Sequence, residues 1–139
     1  MSFLLFDYSP RVSDIGVTAI ALNCPDLISI GIGYLNGVTD VGVTAIAEGC
    51  PHLVSIDLVS NRNISDTSLS AIARHCPKLT SIDLEDLFDV SDMGILAIAE
   101  GCPHLVYFRF HRLSDTLSST LRIRFPRLVV SSRYRAVSQ

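Results

Sequence analysis

Four cysteines, Cys24, Cys50, Cys76 and Cys102, stand 26 residues apart, and each is followed by proline. Two of them lie in a ten-residue segment, AIAEGCPHLV, that occurs twice without change, as Ala45–Val54 and Ala97–Val106. Each copy adds a glutamate and a histidine, Glu48 with His52 and Glu100 with His104. Thiol, imidazole and carboxylate are the raw material of a zinc site or of a Cys–His nucleophile. Zinc asks for ligands gathered about 2.3 Å from one ion, usually from paired C-x2-C clusters. A nucleophile asks for a base, an orienting third group and a pocket. Equivalent positions of a repeat point the same way copy after copy, so they form a row and not a closed constellation. A fifth copy puts Phe125 where the cysteine stood. The cysteines are therefore expected to be reduced, buried and apolar in role, and the histidines to be exposed turn residues. No G-x-x-x-x-G-K-[ST] run occurs. The expectation is a chain that is not an enzyme and takes no metal and no cofactor.

The positioning elements follow from three registers that share the period of 26. The cysteines run with Leu27, Leu53, Leu79 and Leu105, three residues after each. Val12-Ser-Asp, Val38-Thr-Asp, Ile64-Ser-Asp and Val90-Ser-Asp form the second register. The alternating pairs Ile30/Ile32, Ile56/Leu58, Ile82/Leu84 and Phe108/Phe110 form the third. Alternation at period two predicts a short strand. Ile95, Ile98, Ala99 and Cys102 fall on one stripe of a helix, opened by a Ser-Asp cap and shut off at Pro103. Helix–strand units at fixed length stack into a parallel sheet, with right-handed connections. Strands sit about 4.8 Å apart and helices about 8–10 Å apart, so the stack bends with strands inside. Ala21, Ala47, Ala73 and Ala99 ease the crowding between helices.

The division expected is one domain, 1–139: a half repeat over 1–11, repeats over 12–37, 38–63, 64–89 and 90–112, and a capping repeat over 113–139. In that last repeat Arg122 replaces the small alanine, as suits a unit with no following neighbour. At the other end Leu4 and Phe6 open the chain on an uncovered strand, an aggregation hazard unless further residues or another chain lie against it.

The unit C-P-x-L-x-x-[IL]-x-[IL] followed by [VI]-[ST]-D-x-G-[VIL]-x-x-[IL]-A resembles the cysteine-containing leucine-rich repeat of F-box/leucine-rich-repeat proteins, the substrate receptors of SCF ubiquitin ligases. The resemblance spans nearly the whole chain. It implies an α/β right-handed horseshoe solenoid, sheet on the concave face and helices on the convex face, that grips a protein partner on the concave face. Asn61 matches the consensus asparagine after the strand, whereas Leu35 and Leu87 depart from it. No segment here reads as an F-box.

If Ile56 and Leu58 face the core, then Ser55, Asp57 and Val59 face out. The corresponding residues are Ser81, Asp83 and Glu85, then Tyr107, Arg109 and His111, with Ser29, Gly31 and Gly33 and with Leu5 and Asp7 on the earlier strands. Asp57, Asp83 and Arg109 are expected side by side in one row and Glu85 beside His111 in another, the Asp83–Arg109 pair being a solvated one worth little. Asp57, Asp83, Glu85, Tyr107, Arg109 and His111 are the candidate partner-binding residues, with Tyr34 and Phe88 on nearby loops. The alternative is a stand-alone scaffold or assembly factor that self-associates through its uncovered N-terminal strand.

Composition bounds the rest. The 139 residues are 48% apolar with a mean hydropathy of +0.40, which excludes disorder. A net charge of −3 disfavours nucleic acid as a partner. No apolar run approaches the roughly 20 residues of a membrane span. A soluble intracellular setting, cytoplasmic or nuclear, is expected.

Overall fold

In the computed structural model, residues 3–6, 9 and 11–131 are described. Strands and helices alternate without exception along them: β1 Phe3–Leu5, α1 Asp14–Asn23, β2 Ser29–Gly31, α2 Asp40–Gly49, β3 Ser55–Asp57, α3 Asp66–His75, β4 Ser81–Leu84, α4 Asp92–Gly101, β5 Tyr107–Phe110, α5 Asp115–Arg124 and β6 Val129–Ser131. The strands form one parallel sheet in chain order. Its register is the repeat itself, since Leu4, Ile30, Ile56, Ile82 and Phe108 pair in succession. No described helix is long and apolar enough to cross a membrane.

The repeats make the core by nesting. Ile30, Ile56, Ile82 and Phe108 are at most 1% exposed, as are Ile46, Ile72 and Ile98 from the helices. Leu27, Leu53 and Leu79 seal the turn from helix to strand. Each helix ends at Cys24, Cys50, Cys76, Cys102 or Phe125, whose N–H still closes the last helical bond; the proline that follows allows no more. Between strand and next helix the backbone turns through a left-handed residue, Tyr34, Ser60 or Asp86, at φ of 57–61°. None of the three is glycine, so each turn is held at a cost of about 1 kcal/mol.

Side chains of the second register fasten one repeat to the next. The Asp14 carboxylate accepts from the N–H and hydroxyl of Thr39 (2.8 and 2.6 Å) and from the N–H of Gly42 (3.0 Å). Asp40 accepts likewise from Ser65 N–H and hydroxyl, and from the Ser68 hydroxyl. Asp66 takes both donors of Ser91, and Asp92 the hydroxyl of Ser114. Burial pushes the Asp40 carboxyl up, but hydrogen bonds from Ser65 and Ser68 outweigh it and hold it below the usual range. The helix-opening aspartate thus serves the N-terminus of the following helix as well as its own. This explains the glycines: a Cβ on Gly42 would run into the Asp14 carboxylate, and one on Gly94 into that of Asp66. A Cβ on Gly16 would meet no neighbouring element within 4 Å.

Asn61 is fully buried. Its side chain accepts from Leu35 N–H (2.8 Å) and donates to Ile32 and Leu58 carbonyls (2.6 and 3.2 Å).

Candidate functional site

Three of the four cysteines are buried and Cys24 is half-buried. Cys50, Cys76 and Cys102 are at most 2% exposed, and burial first of all raises their thiols to about 11, about 12 and about 11. A buried thiol of this kind stays protonated at neutral pH. Each points its S–H at the preceding repeat, Cys50 at the Cys24 carbonyl (3.3 Å) and Cys102 at that of Cys76 (3.6 Å). His52 and His104 are exposed in the turns, and Lys78 Nζ lies 3.0 Å from His52 Nδ1. Among the described residues no three His, Cys, Asp or Glu side chains gather around a point that could hold an ion.

The solvent face of the sheet is where side chains differ between repeats. Asp57 pairs with Asp83 and Asp83 with Arg109 across β3, β4 and β5, as the alternation requires. Arg109 Nη1 lies 3.4 Å from Asp83 Oδ2, and its Nη2 meets Glu85 Oε2. One guanidinium therefore serves two carboxylates. Each row aspartate also folds back on its own chain: Asp57 Oδ1 accepts from Val59 N–H (3.0 Å) and Asp83 Oδ1 from Glu85 N–H (3.1 Å). Burial drives the Asp83 carboxyl above its usual range, aided by the charge of Glu85; the Glu85 N–H and Arg109 pull it back only in part.

Two expectations about this face are corrected. Glu85 is 3% exposed and Val59 is 7% exposed, so neither faces solvent. The reason is local. β3 ends at Asp57 and β4 at Leu84, and the left-handed Ser60 and Asp86 come directly after Val59 and Glu85, so period-two alternation stops before those residues. The Asp83–Arg109 pair is likewise more than a solvated pair, because it carries the buried Glu85 with it. His111 is half-buried, and its ring packs 4.9 Å from that of Phe88 and 4.7 Å from that of Phe110. The structure thus joins Asp83, Glu85 and Arg109 and sets His111 in an aromatic group. Tyr107 opens β5 and is 39% exposed; Tyr34 (42%) and Phe88 (70%) stand exposed beyond the strand ends. The floor under Gly31 and Gly33 is buried backbone. Asp7 and residues 132–139 lie outside the described residues.

The aspartate fasteners were missed as such. Their signal is the [ST]-D-x-G motif itself, with Ser68 replacing glycine in the copy where a hydroxyl donates to the carboxylate.

Residues 49–73 match the family described as Leucine Rich repeat. No curated protein matches the chain. Among solved structures, a chain of "Crystal structure of Rad7 and Elc1 complex in yeast" is similar over 94% of this chain, at 22% identity and a TM-score of 0.78. The similarity spans 32% of that chain, about a third of its length. Period, register and these two likenesses agree on the architecture. The chain folds as an α/β solenoid of leucine-rich repeats.

Proposed function

We propose that this chain is a protein-interaction module that holds its partner against the solvent face of β3–β5, and that it serves substrate recognition in a ubiquitin ligase of the F-box/leucine-rich-repeat kind. The observation that carries the first part is the ion cluster of Asp83, Glu85 and Arg109, flanked by Asp57 and by exposed Tyr107 and Phe88. A repeat protein keeps its joints alike for packing, so residues that vary on one exposed face are free to serve recognition. Tyr and Arg are the residue types that most often anchor interfaces. Three carboxylates, Asp57, Asp83 and Glu85, around the Arg109 guanidinium leave the patch acidic, which fits a basic segment of the partner. The ligase assignment rests on the resemblance of the repeat unit and on the likeness to Rad7, seen in complex with Elc1.

The test spares the buried ion pair. Asp57→Lys and Tyr107→Ala chains are immobilised beside the native chain and a Ser70→Lys control on the exposed surface of α3, and retained proteins are compared. Proteins held by native and control chains but lost from both sheet-face variants support the assignment. Retention unchanged across all four chains moves the interface off this face.

A further inference from the structure

The joint between repeats occurs repeatedly with the same parts, and at the β1 end of the stack half of it stands open. At each interior joint an aspartate of one helix accepts from a Ser or Thr 22–25 residues on. Ser13 holds the receiving position for α1, yet α1 starts without a side-chain cap, and among the described residues no carboxylate bonds to it. Gly16 holds the position of Gly42 and Gly94, where glycine makes room for that carboxylate, but here the room is empty.

The packing at this end is open in the same way. Leu4, Phe6, Val12, Ile20 and Cys24 are only partly buried, while their counterparts Ile30, Ile32, Val38, Ile46 and Cys50 are at most 1% exposed. Leu22 is 79% exposed in a helix position that later repeats fill with Glu48, Arg74 and Glu100. β1 pairs on one side only, with β2. Apolar core, strand edge and carboxylate receptor all face one way.

We infer that this end is a docking surface for a further unit of the same repeat, whose helix opens with an aspartate that accepts from Ser13 and from the Gly16 N–H. The chemistry of the occupant is read from its sister joints: Thr39 with Gly42, and Ser65 with Ser68, receive such a carboxylate in this structure. The opposite end is not an equal candidate for the occupant, because α5 carries Arg122 where an interior helix offers a small alanine to its neighbour.

The spacing makes the test specific. A copy of Val38–Val54 joined directly before Phe3 sets its aspartate 25 residues ahead of Ser13, the separation that joins Asp14 to Thr39. The grafted full chain should melt about 3–8 °C higher, and the Ser13 and Gly16 amides should exchange with solvent at least tenfold more slowly. Alanine in place of the grafted aspartate, which removes the oxygen that both N–H groups would use, should abolish the protection of those two amides while the graft still raises the melting point in part. A graft that leaves both amides as exposed as before overturns the inference. So does protection of the same amides in the ungrafted chain at rising concentration, which would seat a second copy there instead.

Discussion

Arg109 is the residue that ties together the carboxylates of the sheet face. Its two nitrogens reach Asp83 and Glu85, and the second of these carboxylates has almost no access to water. Removing one partner of a buried pair leaves the other charge uncompensated, which costs more than the pair itself contributes. Since Arg109 keeps about a third of its side chain in solvent, Arg109→Met should destabilise the fold by about 2–3 kcal/mol in urea titration. Adding Glu85→Met should restore most of that loss. Two additive losses would mean that the ion pair is not the source. Charge reversal at Arg109 is for the same reason a poor probe of the proposed interface: it would lower stability whatever it did to binding.

The helix with its opening aspartate is the element that turns one repeat into a neighbour of the next. One substitution separates its two roles, because Gly16, Gly42 and Gly94 share a position but not surroundings. In a helix interior alanine is favoured over glycine by about 1 kcal/mol. At Gly16 the added methyl meets open space, so Gly16→Ala should raise stability by about 0.5–1 kcal/mol. At Gly42 it meets the Asp14 carboxylate, with the Asp14 backbone 3.4 Å away; Gly42→Ala should lower stability by about 1–3 kcal/mol despite the same gain in propensity. Thermal melts of the two variants that shift the same way would refute this account of the glycines. Part of it was legible in the sequence. Cysteine, leucine and strand registers at one period fixed the elements and the core, and Asp57, Asp83 and Arg109 fell into their row by alternation. Glu85 did not, because alternation is a property of extended backbone and β4 ends one residue before it. The double duty of the aspartates was hidden for another reason: a cap is read as local, and the donors it serves lie about 25 residues away.

At the scale of the whole molecule, a stack in which each repeat touches only its neighbours has a stability that is a sum of unit and joint contributions. The joints are not equal. Between α1 and α2 and between α2 and α3 the aspartate takes three hydrogen bonds. Between α4 and α5 the connection is three residues shorter, and Asp92 reaches only the Ser114 hydroxyl, at 2.7 Å. Arg124 adds a pair with Glu100 at 2.9 Å, but both side chains are about half exposed, and such pairs contribute little. Leu113, Phe125, Leu128 and Val130 are only partly buried, so α5 and β6 hold on by the weakest joint and the thinnest core. Native-state opening should begin there. Amides of α5 should exchange at least tenfold faster than those of α3, whose two joints are both interior, with α1 between them because its joint to α2 is complete while its other side is bare. Hydrogen-exchange mass spectrometry resolves this order without any variant. Equal protection of α5 and α3 would mean that the solenoid opens all at once and that its joints, whatever their hydrogen bonds, do not act one by one.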